Sequence, residues 1–423
     1  MHEPTAAAAR GSKRSSGVPV GGDDLAQPPA GRKSPAKLPL AGDNMAVLVS
    51  LDFGAPDYSE SLEELRLLAQ SAGVRTIVLV EGKRQRPDAS LFAGSGKVDE
   101  IAAIVEQYAE NDERQRTPLV IFNHDLSPAQ MRNLTARMKT RVIDRTMLIL
   151  DIFALRAQSH EGKVQVELAQ LKYLSTRLVG MNQDMGQQKY AVGARGPGET
   201  QLELDRRKLD KRVLLLNERL KKLKLHRQVQ RRARNRSDVM SVSIVGYTNA
   251  GKSTLFNRLT QSNVYVADQL FATLDTTSRK VFIEGAGQVV LSDTVGFIRH
   301  LPHGLVAAFR STLEETAQAD LLLHVVDANS SERFDQIAEV NKVLQEIGAQ
   351  HIPQILVFNK IDLQGLPAGV QRDEYGRIAR ISLSARTGAG IDELRAALAE
   401  VRDMRAQGVQ DALPQEWHPL DNK

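Results

Sequence analysis

From Met45 onward the chain alternates short apolar runs with amphipathic stretches. The runs AVLVSLDF (46–53), TIVLVEG (76–82), PLVIFN (118–123) and RVIDR (141–145) have the length and apolar content of strands. Between them, Ser61 followed by Glu64, and Ser127 followed by Pro128 and Gln130, are residue types that satisfy the orphan amides of a helix start. Strand and helix in alternation imply βαβ units, hence a small parallel sheet over residues 45–160. Within it AGSGKVDE (93–100) looks like a phosphate loop, but no glycine stands five residues before Gly96. The expectation there is a tight loop leading into a helix.

The period then changes. Val164, Leu168, Leu171, Leu174 and Leu178 follow a 3–4 spacing, and so do Leu202, Leu209, Val213, Leu216, Leu220 and Leu223. Each set makes one apolar stripe on a long helix, and two such stripes can cover each other. An antiparallel helical hairpin over 161–237 follows, with residues 180–199, which hold five glycines and one proline, as its non-helical, mobile tip. Beyond it, apolar runs return at VSIV (242–245), QVVL (288–291), ILVF (355–358) and ARISL (379–383), predicting a second, doubly wound α/β domain over 238–402 and a short tail over 403–423 that contains Trp417.

Composition narrows the classes. A chain of 423 residues suits two or three domains at roughly 100–200 residues each. With 42% hydrophobic and 25% charged residues it reads as a soluble globular protein. It has no cysteine, which removes disulfides, thiolate zinc sites and Cys nucleophiles. No apolar run is long enough to span a membrane; the longest, Met147 to Leu155, is interrupted by Asp151. His300 and His303, the nearest useful pair of histidines, lack the spacing that puts two imidazoles on one helical face. Residues 1–44 hold 24 Gly, Pro, Ala or Ser and no aromatic residue, and predict a disordered tail. The expected location is the cytoplasm, with a membrane-peripheral fraction left open.

Charge is unevenly placed. The chain carries a net +5, yet residues 195–236 contain 15 Lys and Arg against 5 Asp and Glu, a net of +10. The second helix of the hairpin therefore concentrates the cationic surface, which attracts a polyanion's phosphates in a salt-dependent way.

The strongest chemical signal is VSIVGYTNAGKSTLFNRL (242–259), where an apolar strand runs into Gly246-x4-Gly251-Lys252-Ser253 and then a helix. Across Gly246, Tyr247, Thr248, Asn249, Ala250, Gly251, Lys252, Ser253 and Thr254, backbone N–H groups can close around a β-phosphate. Lys252 can reach the β- and γ-phosphates, and the Ser253 hydroxyl can ligate Mg2+. Asp293, Thr294, Val295 and Gly296 follow the run QVVL; the Asp293 carboxylate can hold Mg2+ through water while the Gly296 amide meets the γ-phosphate. Asn359, Lys360, Ile361 and Asp362 follow ILVF. A carboxylate at 362 can accept two N–H bonds from guanine, which adenine cannot offer. In Ser384, Ala385 and Arg386 after ARISL, the Ala385 amide can meet the base oxygen.

These motifs are those of Ras-like GTPases, and FATLDTTSRK (271–280), SDTVGFIRHLP (292–302) and GARGPGETQLELDRR (193–207) resemble the HflX family over roughly residues 45–400. The resemblance implies GTP hydrolysis with Lys252, Thr273 and Gly296 as the catalytic set, and Phe271, Ala272, Thr273, Leu274 and Asp275 beside the nucleotide. By similarity Thr273 joins Ser253 and Asp293 at Mg2+, with Thr276 and Thr277 as local competitors. It also implies a monomer that binds the large ribosomal subunit, reaching ribosomal RNA through Arg195, Arg206, Arg207 and Lys208, to split or rescue stalled or idle ribosomes under stress. A role in ribosome assembly, or as a GTP-dependent interaction module, stays open. Position 297 is Phe where Ras-like enzymes place a Gln that orients water, a departure shared with the HflX pattern, so slow intrinsic hydrolysis stimulated by a partner is expected.

Overall fold

The computed structural model describes residues 45–112, 116–186, 197–234, 239–262, 269–299, 301, 309 and 313–407. The expected 1–44 tail, Arg195, His300, His303 and Trp417 lie outside them. Four parallel strands, β1 (Met45–Asp52), β2 (Arg75–Lys83), β3 (Leu119–Phe122) and β4 (Val142–Ile143), form the first sheet in the order β2-β1-β3-β4. The central β1 is buried on both faces, which is why it reads as a continuous apolar run rather than an alternating one. One face packs Val47, Val49 and Leu51 against helices α2 (Ser95–Asn111) and α3 (Pro128–Met138).

Helix starts tested the capping argument both ways. At α3 the Ser127 hydroxyl accepts the Gln130 N–H at 3.2 Å and the Gln130 side chain accepts the Ser127 N–H at 2.9 Å, a complete capping box. Ser61 and Glu64, expected to begin a helix, are instead inside α1 (Tyr58–Ser71), whose N-cap is Asp57. Their side chains serve tertiary contacts: Ser61 accepts from Asn123 at 3.0 Å, and Glu64 pairs with Arg145. The loop at 93–94 does lead into a helix, with Gly94 as the N-cap of α2. The strand expected over 141–145 is only two residues long, because Asp144 leaves it to accept the Met147 N–H at 2.9 Å and cap α4 (Arg145–Arg156). The apolar run from Met147 lies in this helix, whose residues 145–153 are all buried. Among the described residues no helix is long and apolar enough to cross a membrane.

Helices α5 (His160–Gly186) and α6 (Pro197–Arg234) form the hairpin, joined by Val164, Leu168 and Leu216 with Leu171, Val213 and Leu220 around them. The tip is shorter than expected: residues 180–186 continue α5, and 197–199 open α6. One isolated glycine at 180 costs a helix only about 1 kcal/mol, and Pro197 occupies the first turn, where its missing N–H is not needed. Residues 187–196 lie outside the described set. Farther along α5, Arg177 ties the hairpin to the N-terminal domain by pairing with Asp144, the buried N-cap of α4, at 2.8 Å.

The second sheet has the order β10-β11-β9-β8-β5-β7-β6, built from β5 (Met240–Gly246), β6 (Thr277–Ile283), β7 (Gly287–Asp293), β8 (Leu321–Asp327), β9 (Gln354–Asn359), β10 (Gly369–Arg372) and β11 (Ile378–Ser382). The five inner strands are parallel, and only β6 and β10 run antiparallel to their neighbours. Among the described residues, helices α7 (Lys252–Thr260), α8 (Arg333–Glu346) and α9 (Ile391–Ala406) accompany this sheet in a mixed, doubly wound P-loop fold; α9 runs past residue 402. Because the inner strands are parallel, Gly246, Asp293 and Asn359, each the last residue of its strand, emerge at one edge of the sheet.

Candidate active site

At that edge the chain from Gly246 to Thr254 turns tightly between β5 and α7. Two positions require glycine. Gly246 has φ +146°, and a Cβ there would lie 2.2 Å from the Val325 carbonyl oxygen; at Gly251, φ +93°, it would lie 2.2 Å from Asn359 Nδ2. Asn359 braces two loops at once, donating to the Ala250 carbonyl at 2.9 Å and accepting the Ala385 N–H at 2.9 Å. The Ala385 N–H, the group expected to meet a base oxygen, is thus given to Asn359 in this structure.

Three side-chain oxygens converge beside α7. Ser253 Oγ donates to Asp293 Oδ2 at 2.6 Å, Thr273 Oγ1 donates to the same oxygen at 3.2 Å, and the two hydroxyls stand 2.8 Å apart. It is Thr273 that reaches this group; Thr277 opens β6. Asp293 is fully buried, which pushes its carboxyl above the ordinary range against the opposing Ser253 hydrogen bond and the charge of Lys252. Its Oδ1 is buried with no hydrogen-bond partner. Lys252 Nζ donates to the Tyr247 carbonyl at 2.7 Å, and burial pushes its ammonium down to about 8 despite the attraction of Asp293. An anion placed beside Lys252 restores the charged form.

A half-open cleft adjoins these groups, lined by Thr248, Asn249, Gly251 to Thr254, Gln269, Phe271 to Thr273, Thr294 and Gly296. Gln269 was not legible as a lining residue. Of the other expected neighbours, Ala250, Leu274, Val295 and Ile361 have buried side chains, and the Asp275 carboxylate accepts from Ser159 at the start of the hairpin. At the far end Asp362 accepts the Ser384 hydroxyl at 2.7 Å and pairs with Arg386; the Ser384 bond first, then the arginine charge, holds the carboxyl below its usual range. Lys360 pairs with Asp327 at 2.7 Å.

Phe297 offers the cavity nothing polar. Its side chain is 2% exposed, and its backbone is tied to the phosphate loop, with Thr248 N–H on its carbonyl at 2.7 Å and its own N–H on the Gly246 carbonyl at 3.2 Å. On α6, Arg206, Arg207 and Lys208 are exposed.

Comparison with known proteins follows the same divisions. Family descriptions match in succession: GTP-binding GTPase N-terminal over residues 59–154, GTP-binding GTPase Middle Region over 156–234, and 50S ribosome-binding GTPase over 241–360. The GTPase HflX of Escherichia coli strain K12 is 52% identical over 356 residues, covering 84% of this chain and 82% of that protein. The GTPase HflX of Caldanaerobacter subterraneus subsp. tengcongensis is 45% identical over 360 residues, covering 85% and 81%. A crystal structure of a GTP-binding protein from Sulfolobus solfataricus in complex with GDP is 24% identical, covers 86% of this chain and 99% of that one, and superposes with a TM-score of 0.46.

Proposed function

This chain belongs to the HflX family of GTPases, and we propose that it uses the hydrolysis of GTP to control its grip on the large ribosomal subunit. It converts GTP and water to GDP and phosphate. The amides of residues 246–254 wrap the phosphates, Lys252 neutralises the β- and γ-phosphates, and the Gly296 N–H meets the γ-phosphate. Asp362 accepts the two guanine N–H groups, oriented for this by Ser384 and Arg386.

Ser253, Thr273 and, through water, Asp293 would hold Mg2+. The residues fit that ion: their hydroxyl and carboxylate oxygens converge within 2.6–3.2 Å, and Asp293 Oδ1 is otherwise a buried acceptor without a donor. Bound Mg2+ supplies charge neutralisation at the β- and γ-phosphates. With Phe297 buried, no polar side chain at that position orients the attacking water, so the chain alone hydrolyses slowly and a partner supplies the acceleration.

Loss of the γ-phosphate releases Thr273 and the Gly296 loop. One observation carries the step from this switch to the partner. Asp275, two residues after Thr273, receives the backbone N–H groups of Gln158 and Ser159, each at 2.8 Å, at the entry to α5. The nucleotide state is thus read at the base of the hairpin whose α6 presents Arg206, Arg207 and Lys208 to the phosphates of ribosomal RNA. In the cell this grip serves to split or rescue stalled or idle ribosomes under stress.

The test is co-sedimentation with purified ribosomal subunits, in GDP and in a non-hydrolysable GTP analogue, together with multiple-turnover hydrolysis with and without ribosomes. Binding to the large subunit that strengthens with the analogue, and stimulated turnover, are expected. Replacing Arg206, Arg207 and Lys208 by Ala should lower the salt slope of binding by about 3. No co-sedimentation and no stimulation would sink the ribosomal reading.

A further inference from the structure

The phosphate loop is gripped from outside its own domain. Tyr247, the residue after Gly246, sends its phenol away from the phosphates and donates its hydroxyl to Glu64 of α1. The same hydroxyl accepts the Arg299 N–H at 2.8 Å, three residues beyond Gly296. Glu64 is also paired with Arg145, the first residue of α4. Arg145 in turn donates to Asn123 Oδ1 at 2.9 Å and to the Arg299 carbonyl at 3.3 Å. The Arg299 guanidinium reaches Asp57 at 3.1 Å and Glu332 at 2.7 Å. Glu64, Arg145, Tyr247 and Arg299 are each less than 10% exposed.

We propose that Glu64 is a positioning residue for GTP hydrolysis, acting through Tyr247 to hold the Gly296–Arg299 loop closed on the phosphate loop. With the loop closed, each charge in the cluster has an opposite charge beside it, and the Tyr247 hydroxyl both donates and accepts. Opening the loop strips the Arg299 N–H from Tyr247 and the Arg299 carbonyl from Arg145, leaving buried polar groups short of partners. The cluster therefore favours the closed form. Closure is also the state in which Thr273 stands at Ser253 and Asp293, and the first sheet's helices support that segment too. Ser71 Oγ of α1 accepts the Leu270 N–H at 2.8 Å, and Phe153 of α4 meets Phe271 edge to face at 4.7 Å. Both segments that respond to the γ-phosphate thus rest on α1 and α4, so the N-terminal layer helps the site tell triphosphate from diphosphate. This inference rests on reading residues 246–254 as the GTP site.

Glu64→Gln keeps the side chain's shape and removes its charge, and Tyr247→Phe deletes one oxygen. For each variant and for the pair, Kd is measured for GDP and for a non-hydrolysable GTP analogue, with kcat and KM for GTP. The expected result is GDP affinity within about twofold of the unaltered chain, analogue affinity and kcat each lowered about tenfold, and a double variant no worse than either single one. Equal losses for GDP and analogue, additive losses, or no loss at all would overturn the proposal. Should Glu64→Gln not fold, Tyr247→Phe decides by the same comparison of GDP with analogue. Failure of the unaltered chain to bind either nucleotide would instead overturn the reading of the site itself.

Discussion

The carboxylate of Asp275 accepts the backbone N–H of Ser159 at 2.8 Å and so joins the segment that bears Thr273 to the start of α5. A carboxylate at a helix N-terminus contributes about 0.5–2 kcal/mol, enough to bias a switch without freezing it. The Asp275 carboxylate turns to the hairpin because the α5 N-terminus offers backbone amides where it lies.

A Cβ at Gly162, in the first turn of α5, would lie 2.2 Å from Asp275 Oδ1. Gly162→Ala should displace that carboxylate while leaving the helix unharmed, since alanine is the better helix former by about 0.5–1 kcal/mol. The expected outcome is a melting temperature little changed, because the helix gain offsets the lost Asp275 contact, with normal GTP binding and a smaller difference between GDP and GTP-analogue states in ribosome affinity. Ribosome co-sedimentation in the two nucleotides measures it, and an undiminished difference would remove Asp275 as the link.

Restoring the Gln of other Ras-like enzymes should not restore fast hydrolysis. Phe297 points into the core with its backbone pinned to Gly246 and Thr248, so Phe297→Gln buries an amide where a ring was. A loss of about 2–4 kcal/mol of stability is expected, with no rise in kcat. Urea unfolding and single-turnover hydrolysis check the two halves; a faster enzyme would show that the side chain can turn to the cavity.

At the base end, Asp362→Asn should exchange guanine for xanthine nucleotides. An amide donates where the carboxylate only accepted, and Ser384 still orients it. GTP affinity should fall at least ~100-fold while xanthosine triphosphate is gained, read by competition binding. Unchanged GTP affinity would remove Asp362 from the base site.

Stability should depend on pH through Asp151. Burial under α5 pushes its carboxyl up to about 7, against the pull of Arg141 3.7 Å away and the Gln170 hydrogen bond. The unfolded chain releases this proton near ~3.9, so between that value and about 7 the folded state holds more protons. Its contribution is therefore complete below about pH 4, declines as pH rises, and is gone above about 7, amounting to about 2–4 kcal/mol. His324, buried in β8 and pushed down to about 4, acts in the opposite sense, destabilising the fold as pH falls below its ordinary value of 6.5. The comparison of the unaltered chain with Asp151→Asn in urea from pH 5 to 8 isolates the carboxyl: the variant should lose the decline. Parallel curves would place the proton elsewhere.

Local rules carried far where the responsible residues are neighbours in sequence. The Ser127 to Gln130 capping box closes within a few residues, and the stripes of the hairpin and the Gly246 to Ser253 loop repeat or turn over equally short spacings, so spacing alone reveals them. The same rule misled at Ser61 and Glu64, whose residue types satisfy a cap but whose side chains are taken by Asn123 and Arg145. It overextended the hairpin tip as well, since isolated glycines near a helix end are tolerated.

By itself, then, the amino-acid order determined the two α/β units, the basic hairpin between them and where along the chain the groups proposed for the phosphate and base ends stand, because those depend on periodicity and on motifs set at strand ends. Only the tertiary structure decided that Thr273 meets Ser253 and Asp293, that Asp275 serves the hairpin, and that Glu64 reaches Tyr247 across 183 positions of chain. Such contacts unite side chains from elements far apart in sequence, and which buried acceptor finds which donor is settled by packing, which leaves no periodic trace in the chain.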